Sequence, residues 1–468
     1  MNIIADIQHQ QFVKAIAERV RSLFDLKRPF RIYHGSTNST RRQSFQADNL
    51  VDVSGLNRVL VVDTTSMTAI VEPNVPMDKL VAATLKYGLI PPVVMEFPGI
   101  TVGGGLQGGA GESSSFKWGC FNRTINWHEM VLADGGAVIA SPDEHSDLYY
   151  GSAGAYGSLG VVTAAQIQLV RAAKYVALDY LPVISHEDAV ETIQRVSGQN
   201  YDFIDGIMYA KDRGVIIAGH LSDVVTGPVR RCSRAHDQWF YLGVEAAVKS
   251  GKLYESYPLE DYLFRYDRGA FWTGRYVFQR FGVPFNRFTR FLLHPLLKTR
   301  RMYVALDASG YSQEYIIQDL ALPAEKVPNF INWVDRELGI YPLWLCPLLQ
   351  DKDSRLQFNH IGTKQIVNVG VWGPGPTSQV DFESVNRELE HKVLELGGKK
   401  WLYAYVYYSE DEFWQIYGGE WYKTLREKYQ ATNLPSVYEK TRMSERKRVS
   451  ISGKRGVWRA IIGTKRPS

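Results

Sequence analysis

Hydrophobic positions change their period several times along this 468-residue chain, and each change marks an element. Phe12, Ala15, Ile16, Val20 and Leu23 recur at helical spacing, which predicts an amphipathic helix over most of the first 27 residues. Arg31-Ile32-Tyr33 reads as a short strand. Leu50 to Val53, Arg58 to Asp63 and Thr68 to Glu72 are β-branched runs between turn residues, expected as strands of one small sheet. Pro76 to Tyr87 reads as a helix with Met77, Leu80, Val81, Thr84 and Leu85 inward and Gly88 as its stop. Val131 to Ile139 carries a hairpin signal with Asp134-Gly135 at the turn. The last strand of this part ends near Arg171, so a first domain is expected over residues 1–172.

Beyond it the pattern alternates strands (Tyr175 to Leu181, Ile204 to Ala210, Val215 to His220) with a helix from Ser185 to Val196, a separate α+β unit over 173–430. Pro328 to Leu338 reads as a helix, and Leu343 to Leu349 and Val367 to Trp372 as strands. In Trp401-Leu402-Tyr403-Ala404-Tyr405-Val406-Tyr407-Tyr408, strand alternation would put Trp401, Tyr403, Tyr405 and Tyr407 on one face. That face is either an apolar wall able to donate protons or a structural aromatic ladder. Ser409 to Tyr429 is expected as one capped helix.

Seven of the thirteen residues from Gly99 to Gly111 are glycine, and Glu112-Ser113-Ser114-Ser115 follow. Such a run lets backbone N–H groups approach an anion with no Cβ in the way, as in wrapping a diphosphate. A Walker-type site is excluded, because no Gly-Lys-Ser/Thr ends the run. A second small-residue loop, His34-Gly35-Ser36-Thr37-Asn38-Ser39-Thr40, also suits phosphate. The glycines at 151, 154, 157 and 160 read either as a further nucleotide loop or as helix packing and a tight turn.

Gly99-Ile100-Thr101-Val102-Gly103-Gly104, Gly111 to Gly119, Glu129 to Gly135, Ser146 to Tyr150 and Ser158 to Ile167 together resemble the FAD domain of the vanillyl-alcohol-oxidase (PCMH) type. More closely, and again in Tyr341 to Pro347 and Glu412-Phe413-Trp414, they resemble the Δ24-sterol reductase branch. The resemblance implies an α+β fold: a two-part FAD-binding domain with an α+β cap that holds substrate. It implies FAD contacts from Gly35, Ser36, Thr37, Asn38, Ser39, Gly99, Thr101, Val102, Gly103, Gly104, Gly108, Gly111, Glu112, Ser113, Ser114, Ser115, Lys117, Gly119, Gly160, Val161 and Val162. Asn38 stands where some members carry a flavin-linked histidine, so FAD is expected to be non-covalent. NADPH is implied as electron donor. Phe116 replaces a histidine typical of the reductases, which leaves substrate and direction of electron flow open.

Composition adds limits. Aromatics make up 12% of the chain, with 11 Trp and 27 Tyr, which favours a large flat or apolar small-molecule ligand. A net charge of +5 gives no case for nucleic acid, and Cys120, Cys232 and Cys346 lie too far apart for a disulfide framework or a metal site. The first 31 residues contain no apolar signal core, so a cytoplasmic, non-secreted protein without the family's N-terminal anchor is expected. Residues 431–468 are read as a basic tail, with ten Lys or Arg after position 438 around Trp458, Ile461 and Ile462, suited either to an anionic intracellular membrane surface or to solvent.

The candidate chemistry is hydride delivery from flavin with protonation by a side chain, for which Tyr403, Tyr405 or Tyr407 is the expected acid, producing reduction of a C=C in a sterol or terpenoid. Glu112 would hydrogen-bond the flavin or merely order its loop, and Lys117 would offset charge on the reduced flavin. A FAD-linked oxidase using O2 is the competing reading, and a non-catalytic lipid-binding scaffold a third.

Overall fold

The computed structural model describes residues 5–35, 40–41, 47–309, 314–350, 360–363, 365–376 and 378–443. The phosphate-loop candidates Ser36, Thr37, Asn38 and Ser39 and the basic segment 444–468 lie outside the described residues.

The first part contains β1 (Arg31–Tyr33), β2 (Leu50–Asp52), β3 (Val59–Asp63), β4 (Thr68–Val71), β5 (Leu89–Ile90), β6 (Ile125–Leu132), β7 (Ala137–Ala140), β8 (Gly160–Gln168) and β9 (Val170–Arg171). A five-stranded antiparallel sheet runs β3-β4-β8-β6-β7. β2 is not part of it: it pairs in parallel with β1, Ile32 opposite Val51. The N-terminal helix Ile7–Asp25 lays Ile16, Val20 and Leu23 on this core. Its buried His9 is fixed between Glu72 and Glu129.

The second part is one antiparallel sheet built from β10 (Tyr175–Val183), β11 (Phe203–Ala210), β12 (Arg213–Ser222), β13 (Tyr254–Pro258), β14 (Tyr315–Pro323), β15 (Leu343–Leu349), β16 (Gln365–Pro374) and β17 (Lys399–Lys400), in the order β13-β10-β12-β11-β15-β16-β14-β17. Helices His186–Ser197, Val327–Glu337 and Gln379–Glu395 cover one face, where Ile316, Leu320, Leu343, Leu345, Val367, Val369 and Val371 meet Ile193, Phe330, Val334 and Leu389. The other face is buried as well, against the first part, which is why β15 is apolar at successive positions rather than alternating. The period of two sends Ile317 and Asp319, Trp344, Cys346 and Leu348, and Asn368 and Trp372 to that inner face. Gly370, in register with Asp319 and Trp344, leaves the room they need: a Cβ there would lie 2.6 Å from the Trp372 ring and 3.1 Å from Asp319 Oδ1.

Two more expectations change. Trp401–Tyr408 is not a strand; β17 ends at Lys400 and the chain turns through 402–404. The helix expected over 409–429 divides at Gly418, left-handed at φ 72°, into Glu410–Tyr417 and Gly419–Lys428. Residues 431–443 fold back onto the first part, with Val437, Tyr438 and Thr441 buried. No helix among the described residues is long and apolar enough to cross a membrane.

Candidate active site

A cavity of about 900 Å³ lies between the first part and the inner face of the second sheet, large even for a cofactor site. One wall is the glycine segment, which is a short helix, Val102–Gly108, and not an open loop. Thr101 caps it, and its first amides are already bonded: Val102 to Val75 O (3.0 Å), Gly103 to Pro73 O (2.7 Å), Gly104 to Thr101 Oγ1 (3.2 Å). The glycines therefore serve as a surface without side chains rather than as free N–H donors. A Cβ on Gly103 would sit 2.9 Å from Pro73, and one on Gly105 2.5 Å from the Met95 methyl and 2.8 Å from Phe121. Thr101, Gly103, Gly104, Gly108 and Gly111 line the cavity, as do Val161 and Val162.

Other candidates lie elsewhere. Among the described cavity-lining residues Gly35, Gly99, Val102, Gly119 and Gly160 do not appear, although His34 does. Val102 is core, Gly119 abuts Arg123, and Gly160 packs on the Val131 carbonyl. Glu112 and the three serines are buried behind the wall: Ser113 Oγ donates to Glu112 Oε2 at 2.7 Å, Ser114 Oγ donates to Glu112 Oε1, and Ser115 Oγ accepts from the Glu112 amide at 2.9 Å. Glu112 orders its own turn, and Ile204 N bonded to Ser113 O at 2.7 Å ties that turn to β11. Lys117 points away and pairs with Asp202 at 2.8 Å.

One end of the cavity is basic. Arg31, His34, Arg41, Lys440 and Arg442 line it, beside Tyr156 and Gly157. Lys440 Nζ donates to the carbonyls of Tyr156 (2.9 Å) and Gly157 (2.8 Å), and Arg41 donates to the carbonyls of Tyr403 (2.9 Å) and Lys440. Burial, then the neighbouring Arg31 and Arg41 cations, holds the Lys440 ammonium well below its ordinary pKa, and burial lowers that of Arg41. The Arg41 guanidinium sits 5.2 Å over the Tyr156 ring, and the Tyr156 hydroxyl, on the cavity, is buried without a hydrogen-bond partner among the described residues. Buried cations that donate to carbonyls, next to a hydroxyl with no partner among the described residues, suit a diphosphate. The side-chain-free wall suits the rest of a dinucleotide cofactor, so the residues present fit FAD.

The opposite end is apolar, with Phe271, Phe278, Leu293, Met302, Leu306 and Trp372 among its lining. Phe271 reaches the cavity, whereas the nearby Tyr257, Tyr262, Tyr266 and Trp272 are core. Between the ends, Tyr403 donates its hydroxyl to Asp319 Oδ2 at 2.7 Å and Asn368 Nδ2 donates to Asp319 Oδ1 at 2.7 Å. Burial pushes the Asp319 carboxyl up to about 6, against the lowering effect of those two donors. Trp401 and Tyr405 also line the cavity, and Trp401 Nε1 is anchored on Gly109 O at 2.8 Å. Tyr407 is not on this wall. Because the chain turns after Lys400, its amide instead bonds both Glu390 oxygens at 3.1 Å, beside the buried Lys400–Glu390 pair.

Glu96 is a site residue that sequence reasoning did not single out. It lines the cavity, is 7% exposed, and its Oε1 has no hydrogen-bond partner among the described residues. The signal was present, since Glu96 is a lone charge in the apolar run from Leu89 to Phe97. Asp319, Arg41 and Lys440 offered no comparable signal.

A family profile describing an FAD binding domain matches residues 11–141. The chain is 30% identical over 404 residues to the Delta(24)-sterol reductase of Homo sapiens, covering 84% of this chain and 76% of that protein. It is 30% identical over 430 residues to the Delta(24)-sterol reductase of Arabidopsis thaliana, with the same coverage. A shorter match, 31% over 150 residues and 31% of this chain, reaches 29% of Cytokinin dehydrogenase 9 of Oryza sativa subsp. japonica.

Proposed function

The chain belongs to the Delta(24)-sterol reductase family of FAD-dependent oxidoreductases acting on C=C bonds, and on that premise we propose that it uses NADPH to saturate a side-chain double bond of a sterol or related terpenoid. One observation carries this reading: a single cavity joins a basic, polar end to an apolar chamber across a wall of glycines. In this reading Gly103, Gly104, Gly108, Val161 and Val162 pack along FAD, and Arg41, Lys440 and Tyr156 take its diphosphate. Reduced FAD supplies a hydride when bound. Phe271, Phe278, Leu293, Met302 and Leu306 receive the fused rings of the substrate, exclude water and hold the alkene in place. NADPH uses the same cavity before the substrate enters. FAD is held without a covalent bond, the protein works in the cytoplasm, and the basic segment after position 443 rests on an intracellular membrane that carries the apolar substrate.

Anaerobic mixing tests the reading. Purified holoenzyme should be bleached by NADPH and recoloured by a sterol carrying a Δ24 double bond, with acid precipitation releasing yellow FAD to the supernatant. Bleaching only by an organic donor, with peroxide formed on readmitting air, would replace the reductase with an oxidase.

A further inference from the structure

Saturating a double bond needs a proton as well as a hydride, and Tyr403 is poorly disposed to give one. Its hydroxyl is directed at Asp319, and burial together with that carboxylate pushes the phenol well above its ordinary pKa. Glu96 has the opposite disposition. It sits between Met95, whose methyl lies under Gly105, and Phe97, whose ring meets Phe271 edge-on at 5.7 Å and Tyr303 at 6.0 Å. It is thus fixed on both sides in the cavity wall, with Oε1 buried and unpaired among the described residues.

Its neighbours decide its charge. Burial, then the like charge of Glu112, raises the Glu96 carboxyl well above the carboxylate range; Asp205 adds to this and Arg265 opposes it. Ser113 donates its hydroxyl to Glu112 Oε2, and Ser114, whose one hydroxyl proton is shared with Pro92 O, faces Oε1, whereas no side chain among the described residues donates to Glu96 Oε1. Burial raises the Glu112 carboxyl too, against the lowering effect of Arg265 and those hydroxyls; where two carboxyls share one site, the donors favour the negative charge on Glu112 and the proton on Glu96. Arg265, buried and paired with Asp205 at 3.0 Å, is near enough to ease a transient charge on Glu96.

We propose that Glu96 is the proton donor, a neutral carboxylic acid that protonates one carbon of the substrate double bond while a hydride from the reduced flavin reaches the other. The π bond breaks and two C–H bonds form. The substrate gains two electrons and the flavin loses them. Glu96 is left as a carboxylate and regains its proton from water after product leaves. A carboxyl raised by burial and facing the cavity is a better donor than a phenol whose hydroxyl is already given to Asp319. This inference rests on the reductase reading above.

The test uses holoenzyme and separates the two half-reactions by rapid mixing. E96Q is expected to bind FAD and to be bleached by NADPH, while its reoxidation by a Δ24-unsaturated sterol slows by about 10²–10⁴-fold, with E96D partly restored. The wild-type minus E96Q infrared difference at neutral pH should contain the C=O band of a protonated carboxyl. E96Q reoxidising at the wild-type rate overturns the proposal, as does a missing infrared band, or a loss of that size in Y403F with E96Q intact. A wild type that NADPH does not bleach overturns the reductase reading itself, and this inference with it.

Discussion

Replacing Lys440 by methionine tests the basic end of the cavity directly. Two of the three ammonium protons are committed to Tyr156 O and Gly157 O at 2.9 and 2.8 Å, which among the described residues leaves one for a ligand. A hydrogen bond to a charged partner is worth about 1.5–3 kcal/mol, which corresponds to about 10–150-fold in Kd. K440M should therefore weaken FAD binding by about that factor in a fluorescence-quenching titration of apoprotein. Riboflavin, which has the same ring system without phosphates, should bind wild type and variant alike, and wild-type affinity for FAD should fall more steeply with salt than that of K440M. The substitution also unpairs two carbonyls, at about 1–3 kcal/mol each, so the folded fraction is checked by circular dichroism and K440R, which restores charge and donors, is measured beside it. If the ratio of FAD to riboflavin affinity is the same in K440M and wild type, the assignment of the diphosphate to this end is wrong.

Two further predictions concern pH. Burial opposes the charge on His9, but Glu129 and Glu72 outweigh it and raise its pKa from 6.5 to about 9, so the pair contributes at most about 3 kcal/mol of stability. That contribution is complete below about pH 6.5 and disappears as pH rises through about 9; H9Q should lower the urea midpoint at neutral pH and match wild type above about pH 9.5, and an equal deficit at both would refute the linkage. Asp319 has the reverse sign: its carboxyl is raised by burial from 3.8 to about 6, so ionising it in the fold costs stability, from nothing at low pH to at most about 3 kcal/mol above pH 6. D319N should gain in Tm relative to wild type between about pH 4 and 8, and no such gain would mean that the carboxylate is better solvated than its surroundings imply.

Much of the fold was written in local pattern. The N-terminal helix, the helix at residues 77–85 and the hairpin of β6 and β7 follow from the spacing of apolar positions and a turn glycine. The apolar run of β15 announces a strand buried on both faces. The family motifs marked the glycine wall. Periodicity states which face is covered, but not by what. It also fails where a turn interrupts it, which is why Tyr407 leaves the wall that Tyr403 and Tyr405 share. The basic end joins Arg41 to Lys440 across 399 positions, and the Tyr403–Asp319 bond spans 84. Nothing in either segment names its partner. The proton-holding state of Glu96 and the raised pKa of Asp319 come from desolvation and neighbouring charges. These arise only when the two parts close on each other, so the chain specified the cofactor's wall locally, while tertiary packing decided which side chains are charged at it.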